Sequence, residues 1–172
     1  MKKIVSVVLV VVLAGMLAGC AKKEEQKVVT NEQARRLLVA GTVLLKQGEV
    51  IKAVQSFATA IKTAPGYFES YYMLAETFIH LKQFEQAKGV LNIAADRFPD
   101  NPVTYYLLSV VYDGEGSLMP AIVSARKSVD LFRLKKDEAG ERRAIVLLGV
   151  LVQKAKQQSE AEMVNAAAET AK

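Results

Sequence analysis

The chain repeats itself every 34 residues, and that interval governs what it can fold into. Pro65 and Pro99 are one period apart, Ala53, Ala87 and Ala121 keep the interval, and so do Ala60, Ala94 and Ser128. Large residues fall into step: Leu37, Tyr71 and Tyr105 each open a run that Leu44, Phe78 and Tyr112 close seven residues later. Between them lie Ala40-Gly41, Leu74-Ala75 and Leu108-Ser109, each a step down to a smaller side chain. Spacings of three, four and seven put such residues on one helix face, and within each period the run of large residues precedes the aligned alanines. Gly41, Ala75 and Ser109 mark where a neighbouring helix must come close. The aligned alanines let the second helix nest near the short end of the usual roughly 8–10 Å separation. Pro65 and Pro99 end the second helices, because proline disfavours helix at the residue before it.

Turn signals agree with this phase. Thr30 stands three residues before Gln33 in the pattern of a capping box. Gly48 separates the first helix pair, and Gly114-Glu115-Gly116-Ser117 separates the third, with Pro120 in the first turn of the helix that follows. Asp113 and Glu115 beside these glycines read as a turn, since the spaced oxygens and closing glutamate of a calcium loop are missing. With so many positions in register, Ala34 to about Lys135 resembles the tetratricopeptide repeat, whose signature pairs bulky residues on a first helix with alanines on a second and a terminal proline. The resemblance implies an all-α fold, a right-handed superhelical solenoid of helix-turn-helix units at 34–67, 68–101 and 102–135. After Arg133 the expected proline is absent and the phase slips by about six residues around Lys135 to Glu141. Ile145, Leu148-Gly149 and Val152 then repeat the spacing of Leu37, Ala40-Gly41 and Leu44, with Ala161 and Ala168 where paired alanines belong. Residues 136–172 therefore read as a connector followed by a degenerate fourth unit from near Arg142, or by a capping helix and tail.

Stacked two-helix units curve, and the first helices line the inner wall. The unburied face of those helices is expected to carry Arg35, Leu38, Thr42, Leu45 and Lys46, then Glu69, Tyr72, Glu76, Ile79 and His80, then Val103, Tyr106, Val110 and Asp113. Tyr72 and Tyr106 among aliphatic residues and charges of both signs suit a protein or peptide partner. Chaperone-docking members of the resembling family clamp a carboxylate terminus with lysine, arginine and asparagine. Leu38 and Thr42 stand where two of those polar residues would be, which argues against such a clamp here. Enzymatic chemistry finds little to use. His80 is the sole histidine, Cys20 the sole cysteine, and no metal-ligand cluster or glycine-rich phosphate loop is present, so no catalytic residue, metal or enzyme activity is expected. Glu24-Glu25 and Asp137-Glu138 fall in hydrophilic connections where solvation accounts for them. The tail beyond Lys135, the only place for chemistry outside the repeats, lacks histidine and cysteine.

The amino terminus supplies an address. Lys2 and Lys3, the apolar run Ile4 to Leu17 and the small-residue exit Ala18-Gly19 are the parts of a secretory signal. Leu17-Ala18-Gly19-Cys20 resembles the bacterial lipobox. That resemblance implies removal of residues 1–19, a diacylglyceryl group on the Cys20 sulfur and an N-acyl chain on the new terminus, with no other cofactor. An uncleaved anchor is the alternative, although Ile4 to Gly19 is 16 residues, short of the roughly 20 needed to span a bilayer. Residues 20–33 then form the lipidated cysteine and a short tether, in which Lys22 to Val29 reaches at most roughly 35 Å. Ala21 follows the cysteine where resembling proteins retained in the inner membrane carry aspartate, so the expected site is an outer membrane, facing the periplasm. With one cysteine no disulfide can form, and stability must come from packing. The formal charge of +5 includes Lys2 and Lys3, which leave with the signal. What remains is too weak to argue for nucleic acid. The expected function is a membrane-anchored adaptor that mediates protein–protein interactions in the bacterial envelope, in assembly of a pilus, secretion or outer-membrane complex. The alternative is a structural envelope lipoprotein that self-associates through the apolar stretch 144–152.

Overall fold

The computed structural model describes residues 30–170, and over that span the chain is helical without strands. Helix α1 (30–46) pairs with α2 (Val50–Thr63). Then follow α3 (Phe68–His80), α4 (Phe84–Arg97), α5 (Pro102–Gly114), α6 (Leu118–Leu134) and α7 (Glu138–Thr170). The expected signal peptide 1–19, Cys20 and the tether up to residue 29 lie outside the described residues. Residues 30–33, expected as the end of the tether, are already helical and belong to α1.

One local device closes the turns α1–α2, α3–α4, α5–α6 and α6–α7. A residue in the left-handed region stands after each first helix: Gly48 at φ 78°, Lys82 at 56°, Gly116 at 75° and Lys136 at 57°. The following N–H then reaches back to a carbonyl five residues earlier. Glu49 donates to Leu44 at 2.9 Å, Gln83 to Phe78 at 2.9 Å, Ser117 to Tyr112 at 2.8 Å and Asp137 to Phe132 at 3.0 Å. These bonds satisfy the orphan carbonyls of the helix end in the Schellman manner. Gly48, Lys82 and Gly116 keep the 34-residue interval, so Lys82 occupies a glycine position with a side chain that opposes it. Lys82→Gly is expected to stabilise the protein by about 0.5–1 kcal/mol, the relief of left-handed strain less the added entropy of the unfolded chain. A urea melt measures the gain.

The chain divides into two units between Ser70 and Tyr71. In the first, α1 buries Ala34, Leu38 and Gly41, spaced by four and three, while α2 buries Ala53, Phe57 and Ala60. A Cβ on Gly41 would collide with the Phe57 ring, so the glycine is what lets that fully buried ring lie on the α1 backbone. Ser56 Oγ donates to the Leu37 carbonyl at 2.8 Å and fixes the same crossing.

In the second unit, Ala75 of α3, Ala87 and Leu91 of α4, and Tyr105, Leu107, Leu108 and Val111 of α5 form one buried cluster. Ala121, Ile122 and Ala125 of α6 close on Leu151 of α7, and Val129 and Phe132 close on Ala144. The in-phase alanines are therefore buried where helices nest. Ser128, which takes the phase of Ala60 and Ala94, is also buried and donates to the Pro102 carbonyl at 3.0 Å.

No proline stops α6 where Pro65 and Pro99 stop its counterparts, and the helix runs on to Leu134. The connector is then only Lys135 to Asp137, shorter than the six extra residues suggest. Asp137 Oδ1 accepts the Gly140 N–H at 2.9 Å, and α7 begins at Glu138 rather than near Arg142. From there α7 is one continuous helix of 33 residues, so the fourth helix-turn-helix unit does not form. Its turn would fall near Lys156, and Lys154-Ala155-Lys156-Gln157-Gln158 are all good helix formers with neither glycine nor proline to stop them.

Candidate functional site

Within the first unit, Arg35, Lys46 and Glu69 are exposed and Thr42 and Leu45 half-buried. Leu38 corrects the expectation of an open inner-wall residue: it is only 8% exposed, because the core stripe of α1 runs through Ala34, Leu38 and Gly41. The Thr42 hydroxyl donates to the Leu38 carbonyl at 2.8 Å and is used within its own helix.

In the second unit His80 is exposed at the end of α3, and Tyr72, Glu76 and Ile79 are half-buried along it. The Tyr72 hydroxyl donates to Glu76 Oε1 at 2.7 Å. That bond, then partial burial, then the Glu76 charge push the phenol from its ordinary 10.0 up to about 12. A proton held more tightly in the folded state gives stability that is fully present below about pH 10 and lost as pH rises from there towards 12. Tyrosinate absorbance in alkaline titration of the folded protein is expected to lose a late-ionising contribution on Tyr72→Phe. A titration unchanged by the substitution would sink this reading.

On α5, Val103 and Tyr106 are half-buried against Val129, Phe132 and Ala144, and Val110 is half-buried. Asp113 is not free for a partner as expected: both its oxygens accept from Lys154 Nζ of α7 at 2.7 Å. The Asp113–Lys154 pair holds α7 alongside α5. Glu115, in the turn after α5, pairs with Lys88 of α4 at 2.8 Å, and that bond with Glu85 beside it raises the Lys88 ammonium above the usual lysine range.

Against α5, helix α7 completes a groove that the sequence reading missed. An open depression of about 420 Å³ is lined by Tyr106 together with Arg142, Arg143, Val146, Leu147 and Val150. Val146 and Val150 remain 66% and 49% exposed, a large apolar commitment to solvent on one helix face. Arg142 pairs with Glu138 at 3.5 Å, and Arg143 makes no ion pair among the described residues. The signal was present in the sequence. Adding three periods and the six-residue slip to Arg35, Leu38, Thr42 and Lys46 gives Arg143, Val146, Val150 and Lys154, so α7 carries the inner-wall positions of a first helix. Among the described residues no group of three or more histidine, cysteine or carboxylate side chains could hold a metal, and no helix is long and apolar enough to cross a membrane.

The family model of the tetratricopeptide repeat matches residues 44–112. Solved structures agree over a longer span. The first tetratricopeptide-repeat domain of Spaghetti (RPAP3), bound to an HSP90 peptide, is 18% identical, covers 73% of this chain and 95% of its own, and superposes with a TM-score of 0.63. The Sgt2 repeat domain from Aspergillus fumigatus is 16% identical over 74% of this chain and 82% of its own, with a TM-score of 0.65. PcrH, known from Pseudomonas aeruginosa, in complex with the chaperone-binding region of PopD, is 17% identical over 70% of this chain and 92% of its own, with a TM-score of 0.63. The fold is the tetratricopeptide-repeat fold. The sequence matches no curated protein. The groove between α5 and α7 is lined by an apolar and aromatic floor edged by arginine.

Proposed function

We propose that the protein is a lipid-anchored adaptor of the bacterial envelope that holds another protein in the α5–α7 groove. The observation that carries this is the exposed apolar floor of Tyr106, Val146 and Val150 with Arg142 and Arg143 beside it. Such a lining suits an aliphatic side chain next to a carboxylate on a peptide or protein segment, with Arg143 available for a charge-assisted bond. Two proteins of the same fold act on protein segments in this sense, one bound to an HSP90 peptide and one to a region of PopD. The lipobox reading of Leu17 to Cys20 supplies the anchor, and Ala21 supports the outer membrane. Confinement of both partners to one surface raises their effective concentration, so a modest contact suffices. Assembly of a pilus, secretion or outer-membrane complex fits this arrangement. No catalytic role is part of it.

A photo-crosslinking residue in place of Val146, in the full chain in its own membrane, tests the reading. An adduct with a discrete envelope protein is expected, and Arg143→Glu is expected to reduce it about tenfold, the loss of one charge-assisted bond and its replacement by repulsion. An adduct indifferent to Arg143→Glu overturns the groove as the binding surface.

A further inference from the structure

Helix α7 has a second face, turned away from the groove, that the described residues leave uncovered. Ile145, Gly149 and Val152 lie on it at spacings of four and three. Ile145 and Val152 are each 46% exposed, and a Cβ placed on Gly149 would meet nothing. Their phase is that of Leu37, Gly41 and Leu44 in α1. There the small residue is covered by the antiparallel second helix α2, whose Phe57 ring lies on Gly41. No turn breaks α7 to supply such a helix, and the equivalent hole stays open.

The charges at the two ends of this face say what fits it. Glu138 stands seven residues before Ile145, and Lys156 seven after Gly149, so all four share the face. Both charged side chains are exposed, 84% and 69%, and among the described residues each pairs only within its helix, with Arg142 at 3.5 Å and Glu160 at 3.8 Å. Reversing the face upon itself with Ile145 opposite Gly149 brings Glu138 opposite Lys156 and Arg142 opposite Val152, because all these pairs share one midpoint at residue 147. A parallel pairing would set Glu138 against Glu138 and Lys156 against Lys156.

We propose that this face docks a second copy of the chain, as an antiparallel, two-fold α7–α7 pair. Each Ile145 seats in the hole over the other copy's Gly149, as a knob into a hole. A Glu138–Lys156 pair closes each end. The contact is isologous, so it closes at two copies and leaves each α5–α7 groove with its own chain. Residues 156 to 163 are exposed along α7, which leaves room for the other copy's helix at both ends. A foreign helix with a bulky residue could fill the same hole, but self-complementarity of charge has meaning only for a second copy.

Sedimentation equilibrium of the full chain in density-matched detergent tests the pairing. A dimer at micromolar concentration is expected. Gly149→Glu is expected to give a monomer of unchanged helicity, since a Cβ there meets nothing among the described residues. Glu138→Lys is expected to weaken the dimer about tenfold, and Glu138→Lys with Lys156→Glu to restore it. A wild-type monomer at tens of micromolar, a dimer that survives Gly149→Glu (association through a shared micelle), or a double swap that fails to restore it overturns the proposal. So does crosslinking of Ile145→Cys in the membrane to a different protein and not to its own copy. The groove reading is untouched by these outcomes, because it is tested at Val146 and Arg143.

Discussion

Phe57→Ala is expected to destabilise the first unit by about 3–5 kcal/mol, the range for emptying a fully buried aromatic site that cannot collapse. The site cannot collapse because the ring rests on backbone: Gly41 offers no side chain that could swing into the void, and Ala53 and Ala60 beside Phe57 are too small to fill it. Against a total of roughly 5–15 kcal/mol for an ordinary domain, that loss should unfold α1 and α2 well before the second unit. The reciprocal change, Gly41→Ala, adds one methyl where the ring already sits and is expected to cost about 1–3 kcal/mol by overpacking. Because the two residues share one contact, Gly41→Ala with Phe57→Ala should cost less than the sum of the single changes. Urea unfolding followed by far-ultraviolet dichroism, with amide exchange to locate the loss, measures all three. A cost below 1 kcal/mol for Phe57→Ala, or additivity in the double variant, would show that the ring does not bear on Gly41 as described.

Most of this architecture was legible because repeats print their packing twice or three times. Gly41, Ala75 and Ser109 recur at one interval, and each is buried where a neighbouring helix needs the room. Lys82 escaped the reading since lysine carries no turn signal of its own; only the phase of Gly48 and Gly116 marks it as a left-handed position. The spacing of three and four puts Leu38 on the open wall with Arg35 and Thr42, yet the first helix of the array buries the stripe Ala34, Leu38 and Gly41. After Lys135 the pattern leaves two forms open, a fourth hairpin marked by Ile145, Leu148-Gly149, Val152, Ala161 and Ala168, or a capping helix and tail; α7 is a single helix, because without a glycine or proline near Lys156 nothing turns the chain back. The same straight helix brings Lys154 to Asp113 and sets Val146 and Tyr106 around one depression, long-range placements that no local pattern records.

On the proposed reading of the lipobox, Cys20→Ser is expected to abolish acylation and to release or mislocalise the protein. Each buried methylene contributes about 0.8 kcal/mol, so two or three acyl chains anchor firmly while one alone holds marginally. Removing the sulfur removes the diacylglyceryl chains at once and leaves the signal without its cleavage site. Since Cys20 is the only thiol, the label from a palmitate analogue should fall to background rather than by a fraction. Retained label would sink the anchor. The fold should not notice, because Cys20 precedes the described helices by ten residues and all the packing named above lies beyond it. The informative comparison is between partner capture in the cell and affinity in solution. A short tether raises the effective concentration of a membrane-bound partner towards the order of millimolar. If the groove supplies the recognition and Cys20 only the address, Cys20→Ser should abolish crosslinking from Val146 in the cell yet leave the dissociation constant for the purified partner unchanged. If both are lost together, the lipid end contributes to the binding surface itself.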